Sequence, residues 1–397
     1  MNEEQGKARI LVVDESVLYR RLLIEALAEL PEVAQVQAAA NAKIAQARLA
    51  LGPVDLVLFD LECGQEGGLE VIKTIRQTYP GTAVAAMGQP DAGASQAQAS
   101  KIIRALEMGA LDVVIKPSGK AGPDGLREFR RQVSGLLLGM AGRRHASRAR
   151  QLLASGGLPA PAAPAPGIAL PRPRELKTAP APAEPPRPAP AIVPAGLQVV
   201  AIGVSTGGPN ALKSVIPRLP RGLGLPVLLV QHMPANFTRA LAESLDRYSS
   251  LAVREAQAGE PLMPDTVYVA PGGVHMIVRV ERGAFGSRLV IGLDDGPPVN
   301  SCKPSVDVLM LSLAKQPGLR ALTVVMTGMG NDGQAGVEAL KRAGGYCLSQ
   351  SEESCVVYGM PRAVDEAGLS DERVGLENLA ERITAVVKQS ADKGGQA

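Results

Sequence analysis

Only 3% of the 397 residues are aromatic, and the formal net charge is +3 with no dense basic block. Base stacking and phosphate neutralisation both lack material, so nucleic acid is not an expected partner. Apolar runs fall well short of the roughly 20 residues that cross a bilayer, and no membrane insertion is expected. The opening residues MNEEQGKARI are polar and acidic where a secretory signal would be basic and then apolar, so the expected compartment is the cytoplasm. Cysteine is scarce: Cys63, Cys302, Cys347 and Cys355 show no C-x-x-C spacing, which points to small buried apolar residues rather than to zinc or disulfides. Histidine is scarcer, with three in the chain.

What is present suffices for two domains, because 46% of residues are apolar and the length allows a core for each. Between Gln151 and Val200 lie 13 of the 32 prolines, in phrases such as APAEPPRPAPA that offer neither hydrophobic periodicity nor backbone donors. The stretch from 141 to 195 therefore reads as a flexible Pro/Ala-rich linker, with His145 and its neighbouring arginines as a solvated helix end at its entrance. Residues 1–140 and 196–392 flank it as domains.

Each flank alternates short β-branched runs with amphipathic patterns, the signature of α/β domains with doubly wound parallel sheets. RILVV, DLVLF, TAVAA and DVVIK recur in the first flank; LQVVAIGV, PVLLV, TVYVAP and ALTVVM recur in the second. In such sheets, ligands and catalytic groups gather outside the carboxyl ends of the strands. In the second flank the polar residues just after the apolar runs are Ser205, His232 and Asp332.

The segment AIGVSTGGPN lacks the second glycine of a dinucleotide fingerprint and the lysine of a P-loop. It does match G-x-S-x-G, in which a strained strand-to-helix turn projects a serine above the sheet, although serine between glycines is also a common plain turn. A serine nucleophile needs a base. His232 follows a strand directly, whereas His275 in APGGVHM follows a Gly-Gly turn and fits a loop or substrate contact equally well. Asp332 in TGMGNDG is suited to orienting an imidazole, with nearby backbone N–H groups to bind an oxyanion. Capping the helix that follows is its plain alternative.

The same reading of the first flank gives Asp14 and Glu15 after RILVV, Asp60 after DLVLF and Lys116 after DVVI. Three acids make an oxygen-lined site suited to Mg²⁺, and a lysine opposite can bind an oxygen of a phosphoryl group on Asp60. Read singly, the acids are helix caps and the lysine a surface charge.

With AIGVSTGGP, VLLVQHMP, VYVAPGGVHM, PSVDVL, VVMTGMGNDG and SCVVYGMP in view, the chain resembles the chemotaxis response-regulator protein-glutamate methylesterase family over nearly its whole length. The resemblance implies a flavodoxin-like receiver, a variable linker and an α/β methylesterase domain. It implies Ser205, His232 and Asp332 as a triad, with Thr206 and Met329 beside the oxyanion site and His275 near the cleft. It implies hydrolysis of glutamate methyl esters on methyl-accepting chemoreceptors, deamidation of receptor glutamines as a related activity, no cofactor for catalysis, and Asp60 phosphorylated by a histidine kinase with Mg²⁺.

Three departures from that family stand out. CKPSVD replaces an HRPSVD-like stretch and puts Cys302 near the cleft; LECGQEGG replaces a Met-Pro turn; and Ala85 to Gly88 lacks the usual switch hydroxyl, so phosphorylation should activate less, and threonine at Ala86 or Met87 is expected to restore coupling. Two other readings remain at this point: a signalling adaptor that docks on receptors without turnover, and a hydrolase of small esters.

Overall fold

The computed structural model describes residues 7–63, 68–88, 96–117, 122–154, 192–283 and 286–394. Within the amino-terminal domain, strands β1 (Ala8–Val13), β2 (Val33–Ala39), β3 (Leu56–Asp60), β4 (Ala83–Gly88) and β5 (Asp112–Ile115) alternate with helices α1 (Val17–Ala28), α2 (Ala42–Leu51), α3 (Gly68–Thr78), α4 (Gln96–Glu107) and α5 (Gly122–Ala154). The five strands form a parallel sheet in the order β2-β1-β3-β4-β5, a doubly wound arrangement. Leu56 to Phe59 are fully buried, as strands covered by helices on both faces must be.

The carboxyl-terminal domain begins with β6 (Val199–Val204), α6 (Gly208–Val215), β7 (Val227–Gln231), α7 (Phe237–Asp246), β8 (Ala252–Glu255) and β9 (Thr266–Val269). It continues with β10 (His275–Gly283), β11 (Gly286–Asp294), α8 (Val306–Ala314), β12 (Ala321–Val325), α9 (Gln334–Arg342), β13 (Tyr346–Gln350), α10 (Met360–Glu366), β14 (Glu372–Val374) and α11 (Leu376–Gly394). Seven of these strands form a second parallel sheet in the order β14-β13-β12-β6-β7-β9-β8. Leu212, Val215, Ile216 and Leu219 are fully buried on one face, as their spacing predicts.

Two features depart from the sequence expectation. β10 and β11 form an antiparallel hairpin outside the parallel sheet. Helix α5 runs through 141–154, a stretch assigned to the linker, because GRRHASRARQLLA is proline-free and rich in helix formers. Residues 155–191, the proline-rich part of the expected linker, lie outside the described residues. Among the described residues no helix is long and apolar enough to cross a membrane.

The domains meet along α4, β5 and α5 of the first and helices α6 and α7 with the strand-end loops of the second. An apolar cluster continues across the seam from Phe59 and Ile102 through Phe237 to Leu229. Glu107 accepts hydrogen bonds from Ser244 Oγ at 2.6 Å and Arg247 at 3.1 Å, and Asn210 donates to the carbonyl of Ala110 at 2.8 Å. Gly135 and Gly139, one turn apart on α5, allow close approach: a Cβ at Gly135 would meet Met329 Sδ at 2.8 Å, and one at Gly139 would run into the Val356 carbonyl. Glycine inside a helix costs about 0.5–1 kcal/mol relative to alanine, and the approach it permits offsets that cost.

Asp112 completes the seam by accepting a hydrogen bond from Gly207 N at 2.8 Å. Burial raises its pKa to about 6, against the lowering effect of the Gly207 and Val113 N–H groups. The docked state therefore binds a proton more tightly than an exposed aspartate of pKa 3.8, and docking gains as pH falls through about 6 and loses as pH rises through it. Protection of α6 amides, corrected for intrinsic exchange, should be about tenfold higher at pH 5 than at pH 8 through this residue. Asp112→Asn should remove the pH dependence, and equal protection in the wild type at both pH values would contradict the assignment.

Candidate active site

Ser205 follows β6 at a turn in which Gly207 takes a left-handed φ of 75° and α6 begins with Pro209 in its first turn. The turn is pinned on three sides. Ser205 N donates to Thr327 O at 2.9 Å, Gly208 N donates to Ser205 O at 2.8 Å, and Gln231 Nε2 donates to the same oxygen at 3.0 Å. Gln231 Nε2 also reaches His232 O at 3.3 Å, so one buried amide ties the serine and histidine loops together.

His232 directly follows β7, and its Nε2 lies 2.8 Å from Asp332 Oδ2. Asp332 is 2% exposed and does not cap its own helix, whose cap is Gly333. Its oxygens accept hydrogen bonds from Ser305 Oγ at 2.8 Å, Val306 N at 2.7 Å, Asp307 N at 3.1 Å and Asn300 Nδ2 at 3.0 Å, besides His232. Burial alone would raise its pKa, but His232 and these donors lower it to about 2. Burial likewise works to lower the His232 pKa, and Asp332 together with Cys302 raises it to about 9.

On the other side of the imidazole, Nδ1 faces Cys302 Sγ at 3.4 Å. Asn300 and Ser301, both at left-handed φ (52° and 61°), turn the chain so that Cys302 meets the ring. Among the described residues the Ser205 hydroxyl makes no hydrogen bond to His232, but both line one cavity of about 420 Å³ between the domains. Thr206, Met329 and Cys302 line it too, as do Lys116 and Arg131 of the amino-terminal domain.

His275, expected near the cleft, stands behind the segment that brings Pro298, Ser301, Cys302 and Lys303 to the cavity. It is 2% exposed, accepts from Ser305 N at Nδ1 (3.1 Å) and donates from Nε2 to Pro297 O (3.0 Å). As the first residue of β10, flanked by apolar positions, it braces the segment that carries Ser305 and does not line the cavity. The sequence reading also missed Asn300, Ser305 and Gln231. Ser305 had a detectable signal, since a serine before the apolar run VDVLML is a helix N-cap, and its hydroxyl does accept from Val308 N.

At the carboxyl edge of the first sheet, Lys116 Nζ sits 2.6 Å from both Asp14 Oδ2 and Asp60 Oδ2. Burial pushes the lysine pKa down, but the two acids outweigh it and raise the value; burial likewise raises the Asp60 pKa. Two carboxylates against one ammonium leave a buried excess of negative charge, and the Asp14 Oδ2 atom has an ion pair but no well-directed hydrogen bond. That donor set fits a hard divalent cation. Glu15, predicted as a third acid of the site, is exposed, and its charge acts on Cys63 together with those of Asp60 and Asp14.

Ala86 and Met87 are fully buried on opposite faces of β4. A threonine at either would put its hydroxyl into apolar core, so the expectation that they could host the missing switch hydroxyl does not fit the packing. Gly88 ends the strand beyond Met87, the register partner of Asp60, and a Cβ there would meet only flexible side-chain ends such as Ile102 Cδ1 at 2.7 Å. Residues 64–67 of LECGQEGG lie outside the described residues.

Comparison with known proteins gives two family matches: the CheB methylesterase family over residues 200–383 and the response regulator receiver domain over 10–122. A protein-glutamate methylesterase/protein-glutamine glutaminase of Desulfotalea psychrophila is 35% identical over 96% of this chain and 98% of its own length. That of Bordetella bronchiseptica is 38% identical over 95% of this chain and 96% of its own. The CheB methylesterase catalytic domain of Thermotoga maritima is a structural neighbour at 37% identity, covering 48% of this chain and 99% of that one with a TM-score of 0.46. Two α/β domains in receiver-then-esterase order, matched by relatives over nearly the full length, establish that the chain belongs to the CheB methylesterase family.

Proposed function

We propose that this chain hydrolyses glutamate methyl esters on chemoreceptors, and deamidates receptor glutamines, with Ser205 as nucleophile, His232 as base and Asp332 as the group that orients and stabilises the imidazole. The observation that carries the reading is the His232–Asp332 pair at 2.8 Å in the same cavity as Ser205. In the proposed reaction the serine attacks the ester carbonyl, His232 takes the hydroxyl proton and returns it to departing methanol, and water then releases the glutamate by the same route. N–H groups around Thr206 and Met329 are suited to the oxyanion, and an amide would pass through the same kind of tetrahedral species. A docking adaptor without turnover would not need a desolvated carboxylate held at a pKa of about 2 by five hydrogen bonds.

The amino-terminal domain is proposed to act as a mask that phosphorylation lifts, joined by the segment after α5 to a catalytic domain over 196–392. Asp14 and Asp60 would hold Mg²⁺, which supplies charge neutralisation for transfer of a phosphoryl group from a histidine kinase to Asp60, and Lys116 would bind a phosphoryl oxygen. Met329 packed on Gly135, and Asp112 on the amide of Gly207, are the contacts through which the docked domain covers the cleft.

Ser205→Ala should reduce methanol release from methylated receptor membranes by on the order of 10³-fold or more, with His232→Ala comparable and Asp332→Asn severe. Because a base works deprotonated, the rate of the full-length chain should rise toward pH 9, and Cys302→Ala should move that rise to lower pH. Near-wild-type turnover by Ser205→Ala would overturn the nucleophile assignment.

Removing residues 1–145 should raise basal methanol release. Gly139→Ala should move the full-length chain in the same direction, since the added methyl group favours the helix and blocks the approach to Val356. A small-molecule phosphodonor should activate the wild type less than truncation does, because β4 ends without a hydroxyl to bond the phosphoryl group. Equal basal rates for truncated and full-length chains would show that this domain does not mask the site.

A further inference from the structure

The family relationship does not account for a sulfur beside the proposed base. Of the four thiols, Cys63, Cys347 and Cys355 are buried, and burial pushes those of Cys63 and Cys347 up to about 12. Cys302 is partly exposed in the cavity, 3.4 Å from His232 Nδ1. Asp332 accepts from the opposite ring nitrogen, which fixes the proton on Nε2 and turns the Nδ1 lone pair toward the sulfur.

We propose that Cys302 Sγ and His232 Nδ1 form a site for a thiophilic divalent cation, best fitted by Zn²⁺, whose binding shuts off the esterase. With bonds of about 2.3 Å to sulfur and about 2.05 Å to nitrogen at a near-tetrahedral angle, the two donor atoms stand about 3.5 Å apart, against 3.4 Å here. A thiolate and an imidazole form a borderline-soft set that selects zinc over Mg²⁺ or Ca²⁺. Asp332 lies within 4.8 Å of the other two ligand atoms, but its oxygens are taken by five hydrogen bonds. It therefore supports the ring from behind, in the carboxylate–histidine–metal arrangement that fixes a ligand's tautomer and strengthens its donation. The remaining coordination positions face the cavity and take water. Binding exchanges the thiol proton for the metal and occupies the nitrogen lone pair that would accept the Ser205 proton. The sequence reading set zinc aside for want of paired C-x-x-C spacing, and a cysteine and a histidine 70 residues apart leave no such trace.

The binding claim rests on geometry alone; the inhibitory consequence rests on the proposed role of His232, so two readouts separate them. Co²⁺ added to the full-length chain should give a near-ultraviolet thiolate-to-cobalt charge-transfer band that Zn²⁺ displaces. Cys302→Ser should abolish the band, and His232→Gln should weaken binding at least about tenfold, with thermal melts confirming that both variants fold. In parallel, chelator-buffered Zn²⁺ should inhibit methanol release reversibly. The half-inhibitory concentration should rise at least about tenfold in Cys302→Ser, measured against that variant's own metal-free rate. No thiolate band in the wild type, or a band retained in folded Cys302→Ser, would overturn the site. A band without any esterase activity in the metal-free chain would uphold the metal site and overturn the proposed function instead.

Discussion

The carboxylate of Asp332 is the interaction on which the rest of this molecule converges. A bare buried carboxylate is costly, and five donors compensate it here: two backbone amides at the start of α8, the Ser305 hydroxyl, the Asn300 amide and the His232 ring. Hydrogen bonds to a charged group contribute roughly 1.5–3 kcal/mol each, and a helix amino terminus adds a favourable field for an anion. The same contacts bring together chain from after β7, before α8 and after β12. Local folding of the carboxyl edge and the electrostatics of the proposed base therefore have one origin.

Strand β5 links that edge to the other domain. At its amino end Asp112 bonds the amide of Gly207, two residues from Ser205, and just past its carboxyl end Lys116 bridges Asp14 and Asp60. A phosphoryl group on Asp60 would compete for Lys116 and shift charge at one end of a four-residue strand whose other end is docked on the turn that carries Ser205. The two polar clusters thus stand at opposite ends of one short strand. In the proposed switch, Gly88 offers no hydroxyl to a phosphoryl group, and Lys116 would be its main protein partner.

Much of this was legible in the sequence because apolar runs and strand-end residues obey simple rules. Val199 to Val204 and Val227 to Gln231 are fully covered strands, and Ser205, His232 and Asp332 were marked by standing just beyond such runs at one sheet edge. His275, set apart in the sequence by the Gly-Gly turn before it, starts a hairpin strand instead of ending a parallel one. Cys302 was marked by the CKPSVD departure, whereas Asn300 left little trace, because it reaches Asp332 through a left-handed turn that no periodicity encodes.

The most direct test of the account is the site and rate of labelling by a fluorophosphonate, which reacts with a serine only when a base activates it. The account predicts a single adduct on Ser205, absent in His232→Ala, forming slowly in the full-length chain and faster once Asp60 is phosphorylated or residues 1–145 are removed. An adduct on another residue, or equal rates in the masked and unmasked chains, would contradict it.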